Sequence, residues 1–146
     1  MKPPISPSKT PKGTEGALAA LDTFAPDDRL VLFGTAEVLD AAVASAGDQA
    51  SLVECVPSTG DEVTMADSPV DAVRSKGGSA LVQMAKMGGR KAGDRRIDMA
   101  ISAGNTGGFV AAAQMFMRRL PGVARPGIAA IIPTFAGPVT FIDVGA

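Results

Sequence analysis

The stretch Ser102-Ala103-Gly104-Asn105-Thr106-Gly107-Gly108 decides how this chain is read, because it joins a short apolar run to an amphipathic helix pattern. Upstream, Ile97-Asp98-Met99-Ala100-Ile101 has the character of a buried strand. Downstream, Phe109, Val110, Ala113, Phe116, Met117 and Leu120 recur at helical spacing. Strand, glycine turn and helix start follow in order, with Asn105 or Thr106 available as the N-cap. There the free N–H groups of the first helical turn and the positive end of the helix dipole converge, which suits phosphate or a carboxylate. A tight turn that binds nothing has the same local sequence, so the rest of the chain has to choose.

At 146 residues the chain fits one domain, a size that buries about two-thirds of its unfolded surface. With no Trp, no Tyr and six Phe, the core must come from Ala, Val, Leu, Ile and Met. A net charge of -1 and a pI near 5.3 give no broad basic surface, and aromatics for base stacking are scarce, so nucleic acid is not an expected partner. The single Cys55 cannot form an internal disulfide, which points to a reducing compartment and an inert buried thiol. Histidine is absent, which excludes Ser/His/Asp and Cys/His catalysis and the usual mixed zinc sites. No metal or cofactor is expected, and chemistry here must rest on positioning and electrostatics. No apolar run approaches the about 20 residues needed to span a bilayer, and no signal-peptide pattern opens the chain. The expected location is the cytoplasm.

Residues 1–12 carry four prolines and three lysines and are expected to form a flexible tail, with the domain spanning 13–146. A helix pattern runs from Thr14 to Phe24, then a strand from Arg29 to Phe33. A second helix from Ala36 to Ala46 ends at Gly47, and a strand spans Leu52 to Val56. Ser68-Pro69 with Asp71 reads as a helix start with Ser68 as N-cap. Another helix runs from Ala80 to Met87 and stops at Gly88-Gly89. The basic residues Arg90, Lys91, Arg95 and Arg96 read as a solvated loop. The opening motif starts a helix over 106–119, with Arg118 and Arg119 at its negative end. Ile128 to Ile132 reads as a strand buried on both faces, paired antiparallel with Val139 to Ile142. Alternating strands and helices predict a layered α/β fold with a mostly parallel sheet and an antiparallel strand pair near the C-terminus. Such sheets bind ligands at their strand C-termini.

Three motifs then align: Met65-Ala66-Asp67-Ser68-Pro69, Ser102 to Gly107, and Asp143-Val144-Gly145-Ala146. Glu62-Val63 precedes the first, and Arg125-Pro126-Gly127 with Ile132-Pro133-Thr134 lies before the last. In this order and spacing, from about Gly13 to Ala146, the chain resembles the bacterial PlsX-type phosphate acyltransferases, acyl-[acyl-carrier-protein]:phosphate acyltransferases of phospholipid synthesis. The resemblance implies a three-layer sandwich of the isopropylmalate dehydrogenase-like, Rossmann-like kind. It implies transfer of a fatty acyl group from acyl carrier protein to inorganic phosphate, a homodimer, and peripheral association with a membrane acyltransferase at the inner membrane face. Where the family opens with a strand and an Asp-Ala-Met-Gly-Gly-Asp loop, this chain has Met1 to Lys12, and the family continues with Asn and further sequence beyond the position of Ala146. The expectation is an incomplete, N-terminal half.

Phosphate is accordingly expected at Gly104 to Gly107, with Asn105 or Thr106 as side-chain donors and Ser68 and Gly145 as further contacts. Asn105, Lys76 and Asp143 are the expected catalytic residues. Each has a plainer counterpart: Ser68 as a helix cap, Lys76 as a surface lysine, Asp143 as a turn former. Met84, Met87, Met99, Met115 and Met117 read as core filling rather than an acyl channel. Two other functions stay open: a noncatalytic phosphate-binding or assembly module, and a phosphotransacetylase-like enzyme acting on acyl-coenzyme A, against which the motif set argues.

Overall fold

The computed structural model of the protein describes residues 12–117, 119–124 and 127–142. Asp143, Gly145 and all of the expected tail except Lys12 lie outside the described residues. Lys12 itself begins the first helix, α1 (Lys12–Ala19), which tightens into a 3₁₀ turn over Ala20–Thr23 that buries Leu21.

The first half is a βαβ unit. β1 (Leu30–Gly34) leads into α2 (Ala36–Ala46) and, after a 3₁₀ turn over Gly47–Leu52, into β2 (Val53–Pro57). The strands pair in parallel, Leu30 opposite Val53 and Gly34 opposite Pro57, as a helical crossover requires. Leu39 and Ala42 bury one face of α2. Gly47 turns the chain at a φ of 56°, in the left-handed region where a side chain would be strained.

The second half is a helical cluster of α3 (Pro69–Ser75), α4 (Ala80–Met87) and α5 (Thr106–Phe116). Its core is Val73, Leu81, Val82, Ala85, Ala111 and Ala112, with Phe109, Phe116 and Met117 packed against them. α5 lies against both other helices, so its position is fixed from two sides. The small residues of α5 let those partners approach closely. α4 starts at the fully buried Ser79, whose hydroxyl accepts from the Val82 N–H at 3.4 Å.

The chain thus has a mixed α/β fold with one parallel and one antiparallel strand pair. Three expectations are corrected. Ile97 to Ile101 is not a strand: it follows a 3₁₀ turn over Arg90–Arg95 as irregular chain with a bend at Asp98, with Met99 76% and Ile101 82% exposed. Its one ladder-like bond runs from the Ile97 N–H to the Met87 carbonyl. A strand needs a neighbour to satisfy its backbone, and among the described residues none lies beside this segment. The helix begun at Thr106 ends at Phe116, so Leu120 falls beyond it and is exposed.

β3 (Ala129–Thr134) and β4 (Gly137–Ile142) form the expected antiparallel pair, with Ala129 opposite Ile142 and Thr134 opposite Gly137. The burial expected on both faces is absent, since Ile131, Ile132, Val139, Phe141 and Ile142 are all exposed. Apolar composition makes a strand suited to burial, but among the described residues no element covers this hairpin.

Candidate functional site

The opening motif builds its helix start through Asn105. Buried at the N-cap of α5, Asn105 accepts from the Gly108 N–H on its Oδ1 at 2.8 Å. Its Nδ2 donates to the carbonyl of Thr64 at 2.9 Å. One amide therefore caps a helix and ties it to a loop 41 residues away in sequence. Of the two N-cap candidates the structure takes Asn105; Thr106 is the first helical residue.

The loop so tied is held by Asp67. Its Oδ2 accepts from the Thr64 N–H at 2.6 Å, the Thr64 hydroxyl at 3.0 Å and the Lys76 ammonium at 2.7 Å. Lys76 Nζ also donates to the carbonyl of Glu62 at 2.9 Å. Lys76 is thus neither a free surface lysine nor an open anion contact: it clamps both ends of the loop from the C-cap of α3. Glu62 continues the chain of contacts, accepting from the Ala80 N–H on Oε2 at 2.9 Å. Its Oε1 is buried without a hydrogen-bond partner among the described residues.

The Lys76 bond, followed by the two Thr64 donors, lowers the Asp67 carboxyl from an ordinary 3.8 to about 2. A carboxyl depressed in the folded state stabilises it fully above its ordinary value and loses that contribution as pH falls through the folded value. Asp67→Asn should therefore lower the urea midpoint at pH 7. The gap to the unsubstituted chain should close between about pH 4 and pH 2, and a gap unchanged across that window would show that the clamp is not ionic.

Ser68 occupies the expected N-cap position of α3, with Pro69 at the first helical residue. Its hydroxyl does not cap the helix but donates to Asp71 Oδ2 at 3.0 Å. A carboxylate at that distance opposes an anion on the same hydroxyl. The Gly104 N–H is also engaged, donating to Ser102 Oγ at 3.2 Å. Thr106 and Gly107 remain as the first two N–H groups of α5, which have no acceptor within their own helix.

The motif glycines serve close approach. A Cβ on Gly107 would stand 2.8 Å from Pro69 Cγ, and one on Gly108 would stand 3.2 Å from Val63 Cγ1. The start of α3 and the Glu62-Val63 segment thus press on the first turn of α5. Pro69, Val70, Gly107, Val110 and Met115 line an open groove of about 500 Å³ between α3 and α5. Of the methionines expected in the core, Met84 is buried and Met117 packs on it. Met99 is exposed, and Met115 lines the groove and is 39% exposed.

Cys55 is partly buried in β2. Burial, then the carboxylates of Asp40 and Glu54, push its thiol above the ordinary 9.0. Because the thiolate is the reactive form, alkylation should be slow at neutral pH and its rate should still be climbing beyond pH 9. A plateau near neutrality would contradict this.

Known proteins resemble this chain in sequence. The family model described as "Fatty acid synthesis protein" matches residues 7–146. The chain belongs to that family. Among curated members, the "Phosphate acyltransferase" of Alkalilimnicola ehrlichii is 38% identical over 133 residues, 89% of this chain and 36% of the relative. That of Leuconostoc mesenteroides is 36% identical over 144 residues, 97% of the chain and 38% of the relative. That of Brevibacillus brevis is 37% identical over 138 residues, 93% and 39% respectively. The chain spans little more than a third of the length of these relatives.

Within this member of the Fatty acid synthesis protein family, the structure joins Asn105, the Thr64–Asp67 loop and Lys76 into one network. It sets Pro69 against Gly107. It leaves Ser68 and Gly104 engaged with their own neighbours, and Asp143 and Gly145 fall outside the described residues. Thr64, Asp67 and Glu62 received no role from the sequence. A signal existed for the first two, since Thr64-x-x-Asp67 has the spacing in which a carboxylate reaches back to an N–H three residues earlier. Glu62 was marked by the Glu62-Val63 of the resembled pattern, but its partners depend on how the loop returns to α4.

Proposed function

We propose that this chain supplies the phosphate-binding part of an acyl-transfer site. There a fatty acyl group passes from the thioester of acyl carrier protein to inorganic phosphate, giving an acyl phosphate for phospholipid synthesis. The observation that carries this reading is the Asn105–Thr64 bond, which ties the Ser102–Gly107 motif to the residue just before the Met65–Pro69 motif, beside the first turn of α5. Phosphate lies against the N–H groups of Thr106 and Gly107, where helix polarity favours an anion, with the Thr106 hydroxyl as a further donor.

In the reaction, a phosphate oxygen forms a bond to the thioester carbonyl carbon and the carbon–sulfur bond breaks. The electron pair leaves on the carrier sulfur, which takes up a proton. Oriented phosphate and stabilised carbonyl charge suffice for such a step without a protein nucleophile. Asn105 and Lys76 act as positioning residues on this reading, one fixing the helix start and the other the loop beside it. Ser68 and Gly104 stand at the rim, and Asp143 and Gly145 keep the catalytic and contact roles that the resemblance implies. The three-layer, isopropylmalate dehydrogenase-like arrangement is the architecture in which the site works, as a homodimer that meets a membrane acyltransferase peripherally.

The test is to incubate the chain with acyl carrier protein thioester and phosphate and follow the carrier's mass. Phosphate-dependent loss of the acyl group that is at most weak with this chain alone, and weaker still with Asn105→Asp, is the expected result. Loss that ignores phosphate, or loss no faster than with Asn105→Asp, would refute turnover by this chain. A second reading, a phosphate-binding or assembly module without turnover, is favoured by one observation: Lys76 Nζ and both ends of the Asn105 amide are engaged within the protein.

A further inference from the structure

Ile97 to Ile101 spans the β1–β2 pair from one end to the other without joining it. At its start, the Ile97 N–H is held by the Met87 carbonyl at the end of α4. Just before it, Arg95 pairs with Glu54, which lies opposite Val31 near the start of β1. The far end leads to Asn105, tied to Thr64 in the loop that follows β2. That loop is fixed to the start of α4 through Glu62 and the Ala80 N–H, and α4 begins at the end of β2, where Gln83 Nε2 donates to the Pro57 carbonyl at 3.0 Å. The segment therefore runs back along α4, in the direction of both strands. Its five residues reach about 16 Å when extended, at about 3.3 Å each, and β1 has five residues as well. α4 packs against β1, and among the described residues β1 has a strand on one edge only. Met99 and Ile101 are left exposed.

We propose that Ile97–Ile101 is a strap that closes onto the open edge of β1 as a third parallel strand, and that an anion on the first turn of α5 favours the closed form. The inference rests on the proposed phosphate site and adds a conformational step that governs it. Closure straightens the bend at Asp98 and covers Met99 and Ile101, which share one face of an extended strand. The connection from β2 through α3 and α4 is long enough for parallel pairing. Closure also puts the Ser102–Gly108 turn at a strand C-terminus, where such sheets bind ligands. The link to the anion is short. Three exposed residues, Ser102-Ala103-Gly104, join the strap to the capped Asn105, so the strap cannot move without moving them. The Gly104 N–H, which donates to Ser102 Oγ in the open form, turns to the anion on closing. That extra contact is what lets an anion favour one form over the other.

The test follows backbone amide exchange in the full chain, with and without inorganic phosphate. Successive residues of a parallel strand point their N–H groups to opposite edges, so without phosphate the amides of Val31, Leu32 and Phe33 should be protected alternately. With saturating phosphate all three should be protected, and every second amide of Ile97–Ile101 should slow at least about tenfold. Met99→Ser combined with Ile101→Ser removes the apolar groups that closure covers and adds no charge near the anion. Both side chains are exposed in the open form, so the urea midpoint without phosphate should stay where it is. Phosphate affinity should fall at least about tenfold, and Met99→Leu with Ile101→Val should keep it. Unchanged affinity in the serine variant would overturn the inference. Phosphate that shifts Thr106 and Gly107 while the β1 amides stay alternately protected would overturn the strap and leave the phosphate site standing. Protection of all three β1 amides before phosphate is added would overturn the link to the anion. Thr106 and Gly107 unmoved by phosphate would refute the phosphate site, and the inference with it.

Discussion

Asn105→Ala is expected to destabilise the protein by about 2–3 kcal/mol, as the sum of a lost helix cap and one lost inter-loop hydrogen bond. The cap is the larger part, because the Gly108 N–H it satisfies is buried and would be left without an acceptor. The Thr64 carbonyl sits on an exposed residue and can turn to water. Asn105→Asp separates the two contributions. A carboxylate still accepts from Gly108 and is favoured at a helix N-terminus, so about half of the lost stability should return. It cannot donate to Thr64, and it places a negative charge beside the N–H groups of Thr106 and Gly107. Phosphate affinity should therefore fall further in Asn105→Asp than in Asn105→Ala, the reverse of the order in stability. Urea unfolding and phosphate titration of both proteins check this, and the same order in both measurements would mean that Asn105 acts only through folding.

The second large effect is expected at Gly89. A Cβ there would fall inside the contact distance of the Phe116 carbonyl oxygen and stand 3.2 Å from that of Lys86, both of them backbone. Nothing can yield without moving the end of α5 against α4, so Gly89→Val should cost about 3 kcal/mol, the upper end for overpacking. Gly88→Ala is the control. Its Cβ would meet only the side chain of Met117, at 2.6 Å from Cε, and an unbranched thioether can swing aside. A loss under about 1 kcal/mol is expected there. Equal losses at the two positions would show that these glycines matter only for ending α4.

That pair shows where sequence is informative and where it is not. Gly88-Gly89 announces a helix end, and the bounds Ala80–Met87 follow. The approach of Phe116 to Gly89 depends on how α5 crosses α4, which no local pattern contains. Gly47 was readable for the same reason as Gly88: terminators act on their own helix. The parallel pairing of β1 with β2 was readable because a helix of the right length separates two apolar runs. Ile97 to Ile101 misled because apolar composition reports suitability for burial, while a strand also needs a neighbour to bond. At the site, Asn105 was legible as a cap, and its second bond to Thr64 was not. Lys76 was read through its charge and the glycines after it, whereas its role follows from Asp67, nine residues earlier, curling back towards it.

The proposed site stands or falls on what the first turn of α5 does with an anion. Titrating inorganic phosphate into the chain while following backbone amides measures this directly. Saturating shifts centred on Thr106 and Gly107, weakened in Asn105→Asp, are the predicted result. Unsaturated shifts centred on the exposed basic residues Arg90, Lys91, Arg95 and Arg96, with Thr106 and Gly107 unmoved, would contradict it.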